Sequence, residues 1–226
     1  MDRSPLPADV GKMVAGELEL WRQIVAGVSD TELVRPSGCA GWSVADLLCH
    51  VRADGEALLQ SLATSCDDAP DRDYVTYWSD WPASGEPTFA DVRWRWATTA
   101  AYATATGLRQ HFEDVLSAAA AGARKAAPGR TRFQGHVLST DDLLAMWATE
   151  LAIHHLDLLV ALPDRYLPDA RALAVAAQTV DSLLGRGRVA GWEDATYLQK
   201  ATGRAALEPA EVAALGEHAA RLPVFG

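Results

Sequence analysis

The sequence predicts an all-α protein, a four-helix bundle with a short helical C-terminal extension. Three observations carry this. Apolar residues recur with the helical period through four long segments, and alternating β-rich runs are scarce. At Ser43, Thr88 and Ser139, an Asp three residues on marks a helix start.

The first helix is expected from about Pro7 to Val28, with Val10, Met13, Val14, Trp21, Ile24, Val25 and Val28 on one face. Residues 29–33 read as a single turn. Pro36, Gly38 and Gly41 punctuate a loop. The second helix opens at Ser43, with Asp46 near its exposed N–H groups and Leu47, Leu48, Val51, Leu58, Leu59 and Leu62 on its apolar side. Residues 66–87, rich in Asp, Pro, Ser and Trp, read as a long loop or lid. Within it, Trp78 and Trp81 either close over a ligand or anchor the loop. The third helix is expected from Thr88 to about Ala121. A basic connector over 122–135 follows, with room for a short extended piece.

Ser139 with Asp142 opens the fourth helix, which ends before Pro163. Another helix is expected from Pro168 through Leu184, and shorter ones at 193–201 and 209–220. Gly185 to Arg188 reads as a hinge. The expected organisation is therefore a bundle over 1–185 and a helical tail over 186–226.

Length and composition narrow the function. A chain of 226 residues with 49% apolar content can bury a sizeable core. Its net charge of −10 argues against general affinity for nucleic acid or anionic membranes. The run from Leu143 to Leu162 carries Glu150, His154, His155 and Asp157, which excludes a membrane span. The N-terminus lacks a charged-then-apolar signal pattern, and Cys39, Cys49 and Cys66 lack C-x-x-C spacing. These features predict a cytoplasmic protein with reduced thiols, either a monomer or a homodimer.

The chemistry concentrates on the fourth helix. Wound at about 100° per residue, its apolar positions spread over roughly half the circumference. Glu150, His154 and Asp157 fall near the middle of that arc, and His155 at its edge. Between Ser139 and Leu162 there is no Lys or Arg to compensate a buried Glu150 carboxylate. Spacing alone leaves two readings open, a paired Glu–His and a site for a divalent metal. His50 sits just off the centre of the second helix's apolar stripe, with Asp54 one turn on. Its plain reading is a half-exposed histidine bonded to Asp46 or Asp54. Together with Glu150 and His154 it would instead supply three ligands and leave a coordination position open, for zinc or for Fe(II).

The run Gly41-Trp42-Ser43-Val44-Ala45-Asp46-Leu47-Leu48-Cys49-His50 resembles the signature of the DinB-like superfamily. More narrowly it is similar to the N-terminal domain of mycothiol-dependent maleylpyruvate isomerases. Glu150 to Asp157 resembles that family's Glu-x-x-x-His-x-x-Asp run, and Ala201-Thr202-Gly203-Arg204 resembles a further run. The resemblance implies that His50, Glu150 and His154 ligate a metal, usually zinc, and that Asp157 orients a ligand. It also implies mycothiol as co-substrate, acting as a nucleophile on a small electrophile. The longer isomerases carry a further folded domain after the bundle, whereas about forty residues follow Gly185 here. That turns the expectation from maleylpyruvate isomerisation towards a mycothiol S-transferase or related enzyme.

Other residues have plainer readings. Arg93 and Arg95, between and beside Trp94 and Trp96, either grip an anionic ligand or form a solvated face with a Trp turned to the core. Cys49 points about 100° away from His50 and makes a poor fourth ligand. Cys39 reads as a structural thiol, or as one lying near the start of the second helix. Two other classes of function compete with the enzyme: a non-catalytic ligand-binding bundle with a vestigial metal, and a structural dimerisation module.

Overall fold

The computed structural model describes residues 5–81, 88–189 and 191–225. Helix α1 (Val10–Ala26) buries Val10, Met13, Val14, Leu18, Trp21, Ile24 and Val25, the face that the apolar period marks. A single turn, α2 (Asp30–Leu33), leads through a loop to α3 (Val44–Leu62). Ser43 Oγ accepts a hydrogen bond from the Asp46 N–H at 3.2 Å, and Asp46 Oδ2 accepts one from the Ser43 N–H at 2.9 Å. This capping box fixes where α3 starts, and hence where His50 lies along it.

The third expected helix is two helices. Thr88 caps α4 (Phe89–Ala100) as predicted, but the chain breaks at 101–104 and restarts as α5 (Ala105–Lys125). Thr104 is the reason: its Oγ1 accepts from the Gly107 N–H at 3.1 Å and caps a new helix. The break carries no Gly or Pro, so nothing in the apolar period announces it. The two helices also have different work. Helix α5 buries Leu108, Phe112, Leu116, Ala119, Ala120 and Ala123, whereas α4 buries no residue and rests against α3.

The basic connector ends in a hairpin of β1 (Arg130–Phe133) and β2 (His136–Ser139), paired antiparallel from Arg130–Ser139 to Phe133–His136. Its two-residue turn places Gln134 at φ 48° and Gly135 at φ 87°, the left-handed pair that suits the twist of a hairpin. Helix α6 (Thr140–Ala161) leaves the hairpin under a Ser139 cap. It is buried on almost every side. By length and composition α6 is apolar enough to cross a membrane, yet 78% of its most apolar stretch lies inside the protein.

Helices α1, α3, α5 and α6 form the bundle, and α7 (Ala170–Leu184) covers α6. Helix α7 stops at Gly185, whose φ of 78° is the left-handed stop that glycine tolerates best. Beyond it lie α8 (Asp194–Ala201), α9 (Pro209–Leu215) and a 3-10 turn over Gly216–Arg221. The tail packs on the bundle. Tyr197, Leu198 and Ala201 are fully buried, and the Tyr197 hydroxyl donates to Asp181 Oδ1 at 2.7 Å. Phe225 stacks on Trp78 with centroids 4.5 Å apart. Trp78 therefore anchors its segment, while Trp81 is half exposed. The remainder of the expected lid, residues 82–87, lies outside the described residues.

One buried polar pair fastens α1 to α6. His155 and Glu17 are wholly buried, with His155 Nδ1 2.5 Å from Glu17 Oε1. The other imidazole nitrogen donates to the Tyr166 carbonyl at 3.0 Å, and Glu17 Oε2 accepts from the Asp169 N–H at 2.7 Å. Each polar atom in the pair has a partner, which is the condition for burying it. Glu17→Ala is expected to lower the unfolding free energy by about 3–5 kcal/mol, because it strands the imidazole. Denaturant unfolding followed by circular dichroism measures this, and a loss below about 1 kcal/mol contradicts it.

Candidate metal centre

Two helices deliver the central side chains. His50 comes from α3, and Glu150 and His154 come from one face of α6, one turn apart. His50 Nε2 lies 3.2 Å from Glu150 Oε1 and 3.1 Å from His154 Nε2, and His154 Nε2 lies 3.1 Å from Glu150 Oε1. Three donor atoms thus meet at the corners of a nearly equilateral triangle. The imidazole rings meet edge to face with centroids 4.7 Å apart.

That triangle fits a metal ion. Donors about 2.0–2.1 Å from a tetrahedral zinc stand about 3.3 Å from one another, close to the spacings here. Asp54 Oδ2 supports the fit, since it is buried, lies 3.4 Å from His50 Nε2 and makes no hydrogen bond. Burial pushes the Asp54 carboxyl up to about 6. Burial acts on Glu150 in the same sense, but His154 and His50 outweigh it and hold that carboxyl far below its usual range. Burial would lower His154, yet Glu150, Cys39 and Asp157 hold it well above an ordinary histidine. Negative charge around the imidazoles therefore dominates the site, as a cation would require.

Exposure falls steadily across the cluster. The His50 side chain is 24% exposed, Glu150 21%, His154 11% and Asp157 1%. The donor triangle is thus most exposed at His50, and Asp157 is closed off from solvent.

Asp157 holds the closed side together. Its Oδ2 lies 2.9 Å from His154 Nδ1, and Arg204 donates from Nε to Oδ1 at 2.7 Å and from Nη2 to Oδ2 at 3.0 Å. Those bonds bring the carboxyl down to about 2 against the opposing effect of burial. Because His154 Nδ1–H donates to Asp157, Nε2 is the nitrogen aimed at His50 and Glu150. Asp157 thus fixes the direction of the His154 ring.

The loop before α3 docks on the same residue. Gly38 N–H donates to the Asp157 carbonyl at 2.8 Å, and a Cβ at Gly38 would lie 2.5 Å from Asp157 Oδ1. Only glycine lets the loop approach so closely. The approach delivers Cys39, whose Sγ lies 3.1 Å from Asp157 Oδ2 and 3.6 Å from His154 Nδ1. Cys39, His154 and Asp157 form a second group with metal-ligand atoms. Arg204 already neutralises both Asp157 oxygens there, so that group has its cation.

The structure brings His50 of α3 together with Glu150 and His154 of α6, whereas sequence reasoning did not foresee the neighbourhood of Cys39 or the reach of Arg204. The Cys39 thiol lies against His154 and Asp157 of α6. The Gly38–Cys39 pair was the available signal, because a glycine before a polar residue in a short loop marks close backbone approach. Cys49 is buried, as the helical geometry requires. Trp94 and Trp96 are 49% and 63% exposed, so neither turns to the core as expected. Helix α4 meets the bundle through Thr99, whose hydroxyl donates to Asp46 Oδ1 at 2.7 Å, and through Arg95, which lies over the ring of Trp42.

The sequence profile of the mycothiol maleylpyruvate isomerase N-terminal domain matches residues 14–159. The chain belongs to that family. Its fold is similar to crystal structures of the mycothiol-dependent maleylpyruvate isomerase and of a histidine-to-alanine mutant of that enzyme. Both have a TM-score of 0.51, with 15% and 16% sequence identity, over 81% of this chain and 74% of theirs. At that identity the likeness is one of fold. Comparison with curated proteins gave no match.

Arg204→Ala leaves the Asp157 carboxylate buried without its guanidinium, and is expected to cost about 3–5 kcal/mol of stability. Arg204→Lys is expected to recover only part of this, because an ammonium cannot reproduce the two parallel bonds. Thermal and denaturant unfolding of the three proteins measures the order; equal stability of Arg204→Ala and the parent contradicts it.

Proposed function

We propose that His50, Glu150 and His154 hold a divalent metal, zinc in the first instance, and that the protein uses a low-molecular-weight thiol as nucleophile toward a small electrophile. The thiol is mycothiol, and the reaction is S-transfer or a related isomerisation. The observation that carries this reading is the triangle of donor atoms, open to solvent on the His50 side, in a chain of this family. Zinc supplies a positive charge that keeps an incoming thiol in its nucleophilic thiolate form at neutral pH.

The chain's own residues do the rest. Asp157, locked by Arg204, fixes the tautomer and direction of the His154 ring. Glu150 supplies the negative charge that makes a cation favourable beside two imidazoles. Trp42 packs edge-on against His50, with ring centroids 5.3 Å apart, and keeps that ring from turning out of the triangle. The half-exposed side of the cluster places an electrophile beside the thiol, which converts an encounter in solution into one between held partners. In S-transfer a carbon–sulfur bond forms as the leaving group departs with its electron pair. In isomerisation the thiolate adds to a cis double bond, rotation follows about the new single bond, and elimination returns the thiolate and gives the trans product.

His50→Ala and His154→Ala are expected to lose most bound metal, and with it mycothiol-dependent turnover, while keeping the helical circular dichroism of the parent. The assay follows maleylpyruvate for isomerisation and a fluorogenic alkyl bromide for S-transfer. Stoichiometric metal in both variants overturns the ligand assignment. A metal-replete parent without thiol-dependent turnover of either electrophile favours a ligand-binding role for the same site.

A further inference from the structure

Asp54 carries a buried carboxylate oxygen without a cation of its own. It lies one turn beyond His50 on α3, its side chain is 15% exposed, and its Oδ2 is buried without a hydrogen bond. Among the described residues no Lys or Arg forms an ion pair with it; the charges acting on it are those of His50, Glu150 and His154. Arg52, two residues away, pairs with Glu56 instead. A carboxylate in that state carries an uncompensated desolvation cost. Asp157 and Glu17 escape this cost, the first through Arg204 and the second through His155 and the Asp169 N–H.

Distance gives the cost a use. Asp54 Oδ2 lies 3.4 Å from His50 Nε2, and the three edges of the donor triangle are 3.2, 3.1 and 3.1 Å. The oxygen therefore stands from His50 about as far as neighbouring donors of one metal stand from each other. Charge points the same way. Glu150 and Asp54 together carry the two negative charges that neutralise a divalent ion, whereas Glu150 alone leaves one positive charge over. Imidazole and carboxylate donors suit zinc, iron and manganese. Asp54 differs from the triangle in how it is held. His154 is fixed by Asp157 and His50 is packed against Trp42, but no hydrogen bond holds Asp54 Oδ2. It is the donor most free to yield its place.

We propose that Asp54 is a fourth protein donor of the metal centre, and that its carboxylate competes with an incoming thiol for the remaining coordination position. This deepens the metal and thiol reading and rests on it. Asp54 closes the centre while no thiol is bound. A thiol that takes the position does so as thiolate, its proton lost to solvent.

Zinc affinity of the full-length protein, read by chelator competition, and the visible spectrum of its cobalt(II) form test this without an activity assay. Asp54→Asn and Asp54→Ala are expected to weaken zinc about tenfold or more while the helical circular dichroism persists. Titration with 2-mercaptoethanol at saturating cobalt, followed by the sulfur-to-cobalt charge-transfer band, is expected to move the other way. A carboxylate that holds the position about nine-tenths of the time raises the thiol midpoint about tenfold, and its removal lowers that midpoint by the same factor. A carboxylate that serves only the fold behaves differently: its loss lowers the melting temperature of the metal-free protein and leaves the thiol midpoint in place. Parental zinc affinity in both variants, or a thiol midpoint that stays the same or rises, overturns the fourth donor and leaves the three-ligand assignment standing. A parent that takes up neither zinc nor cobalt overturns that assignment, and the proposal with it.

Discussion

The carboxylate of Asp157 joins three parts of the chain that are far apart in sequence. It orients His154 through Nδ1, it receives the guanidinium of Arg204 from the C-terminal tail, and it takes the thiol of Cys39 from the loop before α3. Its backbone carbonyl adds the Gly38 N–H. A carboxylate buried this deeply is tolerated only when its oxygens are satisfied and its charge is balanced. Asp157 meets both conditions by drawing in the tail and the loop. The direction of the His154 ring, and hence the donor triangle, follows from that balance.

The bundle contains two buried Glu–His arrangements with different consequences. Glu17 and His155 are wholly enclosed and every polar atom has a partner within the protein, so the pair behaves as a fastening between α1, α6 and the segment before α7. Glu150 and His154 differ because one side of them is open, a second imidazole converges on them, and Asp54 contributes an unsatisfied oxygen beside His50. Adjacent histidines on one helix point about 100° apart. That single angle sends His155 to structure and His154 to the candidate centre.

The four bundle helices were legible because their apolar faces repeat with the helical period and because Ser43, Thr88 and Ser139 each precede an Asp at the capping spacing. The break between α4 and α5 was not legible, since Ala101 to Thr104 contains no residue that forbids a helix. It is made by the Thr104 cap and by a change of packing partner that only the assembled bundle imposes. The candidate site divides in the same way. His50, Glu150 and His154 lie on periodic helices, so their faces follow from position. Cys39 and Arg204 arrive on loops, whose paths are set by tertiary contacts such as the close approach at Gly38. The exposure of Trp94 and Trp96 belongs with these, because α4 lies on the surface and has no buried face to sort its residues.

The account depends on a divalent ion at the triangle of His50, Glu150 and His154. Elemental analysis of the purified, untagged protein by plasma mass spectrometry measures this directly. The account predicts close to one zinc, or another divalent metal, per chain. A protein that carries no metal as isolated and takes up none after incubation with zinc, iron or manganese contradicts it.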